Sequence, residues 1–246
     1  MLGIVGRRRK AGKEEAEKPF WISFSDLMTA LMVLFLVAMA VALIAVTHGL
    51  ATINKEKEDR DKTIESCITD VERITKIADF TGVKVRGYSI DFGTLVLFGN
   101  DRHSFEKNEH EHFIRKFVPK VLDVARTEKC EKWLKRVVVE GFASQTGDYL
   151  YNLNLSYMRS QRVLCVLLDS KANDALDSKD RKLIQTLFLA GGSSFNTTAG
   201  EAAQMRRVEL TLQFRDLGKE PDPPIEIPLD PGLKCPNPTQ PNGIAQ

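Results

Sequence analysis

Two sets of residues in this chain have types and spacings suited to chemistry. The first centres on Asp26, a carboxylate inside the apolar run 20–46, FWISFSDLMTALMVLFLVAMAVALIAV, whose other polar residues are Ser23, Ser25 and Thr29. A charged side chain at the centre of a membrane helix costs about 2.5–3.5 kcal/mol on insertion scales, so such groups face a protein interior or a wet passage and serve ion or proton pathways. A carboxyl that takes a proton from one side and releases it to the other couples to the membrane potential, worth about 2.3 kcal/mol per charge per 100 mV. Ser25 and Thr29 flank Asp26 and can supply hydrogen bonds. At helical spacing Asp26, Thr29, Ala30, Val33 and Val37 share one face. The alternative is an interfacial Asp that caps a helix start, since Ser23, Ser25 and Asp26 are all capping types.

The second set is Glu140-Gly-Phe-Ala-Ser-Gln-Thr-Gly147 followed by Tyr151-Asn152-x-x-Leu155-Ser156-x-x-Arg159. Helical spacing puts Asn152, Leu155, Ser156 and Arg159 on one face. An arginine there offers a planar fork for a carboxylate. The glycine-bearing loop and the helix start offer backbone N–H groups to an anion. Together they suit a ligand that carries a carboxylate. The alternative is an ordinary surface arginine behind a capped helix.

The elements that position these residues follow from pattern. A helix over 20–46 spans about 40 Å at about 1.5 Å per residue, against about 30 Å of hydrocarbon. Phe20 and Trp21 stand where an interfacial aromatic anchor belongs, and Arg7, Arg8, Arg9, Lys10, Lys13 and Lys18 precede the span. The positive-inside rule puts residues 1–19 in the cytoplasm as a basic tail and the rest of the chain beyond the membrane. A cleaved signal peptide is the competing reading, but its apolar region is about 7–15 residues and this run is longer.

Residues 47–83 read as a charged helical connector. As heptads, Ile53, Arg60, Cys67 and Ile74 take position a, and Lys57, Ile64, Val71 and Ala78 take d. Two readings stand: a parallel coiled coil with a second copy, or an amphipathic helix packed on its own domain. In the coil, Cys67 faces its twin and an intermolecular disulfide becomes possible. That leaves Cys130, Cys165 and Cys235, an odd number with at least one free. The sequence does not select a pairing.

Residues 84–215 read as a two-layer α/β domain. Strands are expected at 94–98, at 137–139 ending on Gly141, at 188–189, and at 208–214, where Val208, Leu210, Leu212 and Phe214 alternate with polar residues. Helices are expected over 106–126, with a kink at Pro119, and over 151–169 and 174–187. Residues 216–246 hold eight of the ten prolines, so an extended tail is expected there. His103, His110 and His112 read as a solvated face rather than a metal cluster, because histidines two apart on a helix diverge. The net charge of +2 gives no reason to expect nucleic acid. No phosphate-binding glycine motif and no recognisable nucleophile setting occurs, so an enzyme is not expected.

The segment Phe20-Trp21-Ile22-Ser23-Phe24-Ser25-Asp26-Leu27-Met28-Thr29-Ala30-Leu31-Met32 resembles the start of MotB-type stator subunits. The resemblance implies that Asp26 carries a translocated ion. It implies a homodimer of B subunits inside a ring of five A subunits in the inner membrane. A proton is favoured over Na⁺, which would need several oxygen ligands around Asp26; no other cofactor is implied.

Tyr151-Asn152-x-x-Leu155-Ser156-x-x-Arg159, with Arg206-Arg207-Val-Glu-Leu, is similar to OmpA-like peptidoglycan-binding domains. That likeness implies that Arg159 meets a diaminopimelate carboxylate of wall peptide and that Tyr151, Asn152 and Leu155 line the groove. The family's Gly-His-Thr-Asp is here Gly141-Phe142-Ala143-Ser144, so the carboxylate for the diaminopimelate amine is missing at Ser144, and Met205 replaces an Asn. Among MotB-like proteins, the length, the divergent loop and the Cys-bearing connector look most like B subunits of Zorya anti-phage defence systems. These imply a MotA- or ZorA-like A subunit. The alternatives are a flagellar stator subunit and a passive OmpA-like wall tether.

Overall fold

Apolar periodicity organises the chain into one long helix and a mixed sheet with helices against it. The structure, a computed structural model, describes residues 14–145, 147–194 and 206–219 together with Pro228 and Cys235. The basic tail up to Lys13, Thr146, Met205 and most of the Pro-rich tail lie outside the described residues. The chain divides into two units, Met1–Lys57 and Glu58–Gln246. Residues 58–83, read from sequence as part of the connector, therefore group with the sheet domain.

In the first unit the only described element is the first part of α1 (Glu14–Thr75). Over 24–46 Leu, Ala, Met and Val dominate it, and every residue there is exposed. Leu34 is 72% exposed and Phe35 67% exposed. From Phe24 the helix is long and apolar enough to cross a membrane, with a mean hydropathy of 2.9 in its most apolar window. Lipid or partner helices are the media that such a surface suits. Because α1 is already helical from Glu14, Asp26 lies in its interior and does not cap its start.

The second unit holds a five-stranded sheet of order β1-β2-β5-β3-β4. Its strands are β1 (Lys84–Arg86), β2 (Ser89–Asp91), β3 (Leu134–Gly141), β4 (Phe188–Gly192) and β5 (Val208–Phe214). All neighbours are antiparallel except β3 and β4, which run parallel with Val137 opposite Phe188. The helices are α2 (Asn108–Ala125), α3 (Glu128–Trp133), α4 (Tyr149–Leu168) and α5 (Ser178–Leu187). The parallel pair is joined through α4 and α5, as parallel strands require a crossover. β5 buries Val208, Leu210 and Leu212, one face of an alternating strand. The helix α2 passes through Pro119 and buries Ile114, Phe117, Val118, Val121 and Leu122.

Three expectations are corrected. Residues 94–98 are not a regular strand. Gly93–Leu95 is a 3-10 turn, and Phe98 makes one isolated bridge to Phe105. The run is apolar because Val96 and Phe98 are fully buried as loop residues. The strands lie just before it, in a hairpin whose two-residue turn begins at Gly87 with φ 58°.

The coiled-coil reading of the connector fails from Ile64 onward. Ile64, Cys67, Val71 and Ile74 are buried within their own unit. Cys67 and Val71 line a small apolar crevice with Val121, Val124, Cys130 and Leu212. The disulfide partners are intramolecular, Cys67–Cys130 and Cys165–Cys235, so no free cysteine remains. The Cys165–Cys235 bond also attaches the Pro-rich tail to α4.

The histidines do not form a solvated face. His103 and His110 are buried, at 2% and 9% exposure. The Nδ1 of His110 lies 3.1 Å from the Leu97 carbonyl, and His112 pairs with Asp174 at 2.7 Å. Among the described residues no group of three metal-ligating side chains occurs.

Candidate functional sites

On α1, Asp26, Thr29, Ala30, Val33, Leu34 and Val37 form a continuous face. The Thr29 hydroxyl donates to the Asp26 backbone carbonyl at 2.9 Å, a local helix bond that leaves the Asp26 carboxylate outside it. Ser25, Asp26 and Thr29 are all exposed on the lone helix.

The second site is built where β3 ends against α4. Gly141, the last residue of β3, allows the strand to touch the helix. A Cβ there would stand 2.0 Å from the Ser156 carbonyl oxygen. At Gly192, the end of β4, a Cβ would stand 2.7 Å from the Ser156 hydroxyl and 2.8 Å from the Tyr157 amide. Two glycines therefore seat α4 on the sheet.

The loop amides expected to face an anion are partly committed. Phe142 N–H donates to the Arg207 carbonyl and Ala143 N–H to the Ser194 carbonyl. Asp148 takes the N-cap position of α4 with no capping bond from its side chain.

Asn152, Leu155, Ser156 and Arg159 share the buried face of α4, as the spacing implies. Asn152 is 1% exposed and Leu155 3%, so both are wall rather than surface. Arg159 is 1% exposed. Its Nη1 donates to the Phe142 carbonyl at 2.7 Å, its Nε to the Arg102 carbonyl at 3.0 Å and its Nη2 to the Gly99 carbonyl at 3.2 Å. Its guanidinium also lies 5.4 Å from the Phe98 ring centroid. The fork thus ties the end of β3 to the segment 99–102. Burial pulls its pKa down to about 10, and the nearby positive charge of Arg206 adds to that.

Tyr151 is the half-exposed member of the predicted set. Its hydroxyl donates to Asp101 Oδ1 at 2.6 Å. Asp101 was not singled out by sequence, since it sits 50 positions from Tyr151. The only local signal was the Gly99-Asn100-Asp101 turn. Of the paired arginines, Arg207 is committed inward. It bonds Glu209 at 2.7 Å, lies 3.6 Å from Asp91 and covers the Phe142 ring at 4.6 Å.

Comparison with known proteins places this geometry in context. A family model described as membrane MotB of the proton-channel complex MotA/MotB matches residues 6–47, the stretch that holds Asp26. The Zorya protein ZorB of Escherichia coli O139:H28 (strain E24377A / ETEC) is 38% identical over 234 residues, covering 94% of this chain and 95% of the relative. Similar solved structures include the OmpA-like domain of FopA1 from Francisella tularensis subsp. tularensis SCHU S4, with TM-score 0.35 and 20% identity, covering 57% of this chain and 90% of that one. A putative MotB-like protein from Desulfovibrio vulgaris gives TM-score 0.37 at 15% identity, covering 64% and 96%. With nearly full-length identity at this level and a membrane helix of the MotB type, the chain belongs to the ZorB family of MotB-like, single-pass membrane subunits.

Proposed function

We propose that this chain is the B subunit of a proton-driven motor in the bacterial inner membrane, fastened to peptidoglycan by its sheet domain. Asp26 carries the translocated proton, and Ser25 and Thr29 support it. Two copies of the chain act with five copies of a ZorA- or MotA-like A subunit, and ion flow through the assembly signals phage attack. The name carried by the 38% identical relative, Zorya protein ZorB, supports the defence role over motility.

The observation that carries this reading is the place of Asp26. It is a carboxylate in the interior of an apolar helix that the chain leaves bare, within the segment matched by the MotB model. A passive tether has no need of a charge that costs insertion energy. The two disulfides of the second unit support placing that unit outside the cytoplasm, because such bonds persist in oxidising compartments. The N-terminus is then cytoplasmic. Wall peptide docks at the mouth bearing Tyr151, with Asn152, Leu155 and Arg159 forming and holding the wall behind it.

The test uses the full chain co-expressed with its A subunit in cells challenged with phage. Asp26→Asn abolishes protection while the complex is recovered in wild-type amount. Undiminished protection with Asn at this position means a tether, not a motor.

A further inference from the structure

A cavity of about 380 Å³ opens at the end of the sheet where β3 begins and β5 ends. Leu134 pairs with Phe214 at that end, whereas the α4 site lies by the Gly141–Val208 pair, about 20 Å further along the strands. Arg60, Lys135, Arg215 and Lys219 line the cavity, with Tyr88 and Phe214 as an aromatic wall. Tyr88 meets Phe214 edge-on at 5.3 Å between ring centroids and is 53% exposed, so one ring stays open to a ligand.

Local structure puts three of the cations there. The β3–β5 register shifts between Leu134 and Arg136, which leaves Lys135 as the extra residue. A bulge re-aims its side chain out of the strand's alternation, and here it delivers Lys135 to the cavity. Arg215 follows β5. Its amide donates to the Trp133 carbonyl at 2.7 Å, and its Nη1 donates to the Glu131 and Lys132 carbonyls at 3.0 and 2.8 Å. Arg60 Nε donates in turn to the Arg215 carbonyl at 2.9 Å. Backbone acceptors therefore fix two arginines side by side.

These charges are poorly compensated. Among the described residues neither Lys135 nor Arg215 has a carboxylate partner, and the shielded Arg215 Nε donates to nothing. Asp61 lies 2.7 Å from Arg60 and Asp216 lies 3.6 Å from Lys219, both as exposed pairs, which hold little energy. The Nη2 groups of Arg60 and Arg215 make no hydrogen bond among the described residues. Like charges gathered in a concave site raise the local concentration of anions.

We propose that this cavity binds the phosphate group of an organic phosphate ester, held by Arg60, Lys135 and Arg215, with the Tyr88 ring against the organic part. Donors come from α1, β3 and the end of β5. A tetrahedral phosphate presents oxygens in three dimensions to such a set, whereas a carboxylate offers two in one plane. Two sources carry this chemistry, a soluble phosphate ester and the headgroup of an anionic phospholipid. Arg60 stands fourteen residues after Val46, the end of the apolar run, so the cavity is built where the chain enters the sheet domain. The proposal is independent of the wall-anchoring and proton readings.

The experiment titrates the full chain, in a maltoside detergent free of phosphate, with glycerol phosphate and with acetate by calorimetry. Glycerol phosphate is expected to bind saturably, and acetate at least about tenfold more weakly. The Lys135 side chain makes no bond within the described chain, so Lys135→Gln should keep the wild-type thermal midpoint. It is expected to bind glycerol phosphate at least about tenfold more weakly, the loss of one charge-assisted hydrogen bond, and Lys135→Arg is expected to retain binding. The titration is repeated in micelles doped with phosphatidylglycerol or, at equal charge, with oleate. Weaker glycerol phosphate binding with phosphatidylglycerol than with oleate supports the proposal and assigns the cavity to the lipid headgroup; equal binding in the two supports it with a soluble ester as the occupant. No saturable binding of glycerol phosphate at millimolar concentration overturns the proposal. So does acetate binding as tightly as glycerol phosphate, or wild-type affinity in Lys135→Gln.

Discussion

Cys67 on α1 is bonded to Cys130 on α3, with their Cα atoms 5.7 Å apart across 63 positions of sequence. The bond sits within a wider clasp. Lys129 Nζ lies 2.5 Å from Asp70 Oδ2 and 2.9 Å from Ser66 Oγ. Nearer the start of the unit, Arg60 Nε donates to the Arg215 carbonyl at 2.9 Å. The last turns of α1 are therefore part of the sheet domain's own structure, with Ile64, Val71 and Ile74 in or beside its core.

Removing this disulfide frees a long loop in the unfolded chain. The chain-entropy relation gives about 4 kcal/mol for a loop of this length. The double variant Cys67→Ser with Cys130→Ser is expected to melt on the order of 10 °C lower. Calorimetry of the purified protein checks the shift. On a non-reducing gel the wild type is expected to run without a Cys67-linked dimer; a reductant-sensitive dimer lost in Cys67→Ser would contradict the intramolecular bond.

Arg159 is expected to matter for folding before it matters for binding. Arg159→Ala removes the guanidinium donor from the carbonyls of Arg102 and Phe142 and leaves the Gly99 carbonyl with the Arg102 N–H alone. A buried acceptor left unpaired costs about 1–3 kcal/mol. Arg159→Lys fails as well, because an ammonium cannot span three carbonyls in the plane of the fork. Both variants should lower the thermal midpoint by several degrees, as followed by circular dichroism. Lost peptidoglycan binding at an unchanged midpoint would instead make Arg159 a ligand group.

Gly141→Ala tests the seating of α4. The new methyl meets the Ser156 carbonyl oxygen at 2.0 Å and its carbon at 2.9 Å, both backbone atoms that cannot rotate away. Overpacking of this kind costs about 1–3 kcal/mol, and a backbone clash belongs at the top of that range. Soluble yield and urea midpoint of the variant are the readouts. A wild-type midpoint would mean that the helix moves aside at no cost.

Asp70 links stability to pH. The hydrogen bond from Lys129 is the main cause that holds its carboxyl below the ordinary value of 3.8; partial burial opposes this, and the charges of Lys129 and Arg73 add to the lowering. A depressed folded pKa contributes stability that is complete above the unfolded value and is lost as pH falls through the folded one. The wild type is thus expected to be flat in this contribution from neutral pH to about pH 4 and to lose it below. Asp70→Asn removes the contribution at all pH values. Its thermal midpoint should approach that of the wild type as the acid is strengthened, and parallel curves would exclude the linkage.

Much of this molecule is written in short-range pattern. The apolar run around Asp26, the alternation in β5, and the apolar faces of α2, α4 and α5 each depend on neighbours within a few turns or residues, so composition and period reveal them. The shared face of Asn152, Leu155, Ser156 and Arg159 is a consequence of helical spacing alone. Other features arise where distant segments meet. Three-residue strands such as β1 and β2 are too short to display a period, and the run 94–98 is apolar because a loop is buried. A heptad-like stripe at Cys67 and Val71 serves a partner helix or the chain's own core equally well, and the sheet domain supplies the core. Cysteine pairing, the bonds from buried Arg159 to the Gly99 and Arg102 carbonyls, and the approach of Asp101 to Tyr151 each join positions 50 or more apart. Local propensity carries no information about such encounters, because they are set by how whole elements pack once their apolar faces leave water.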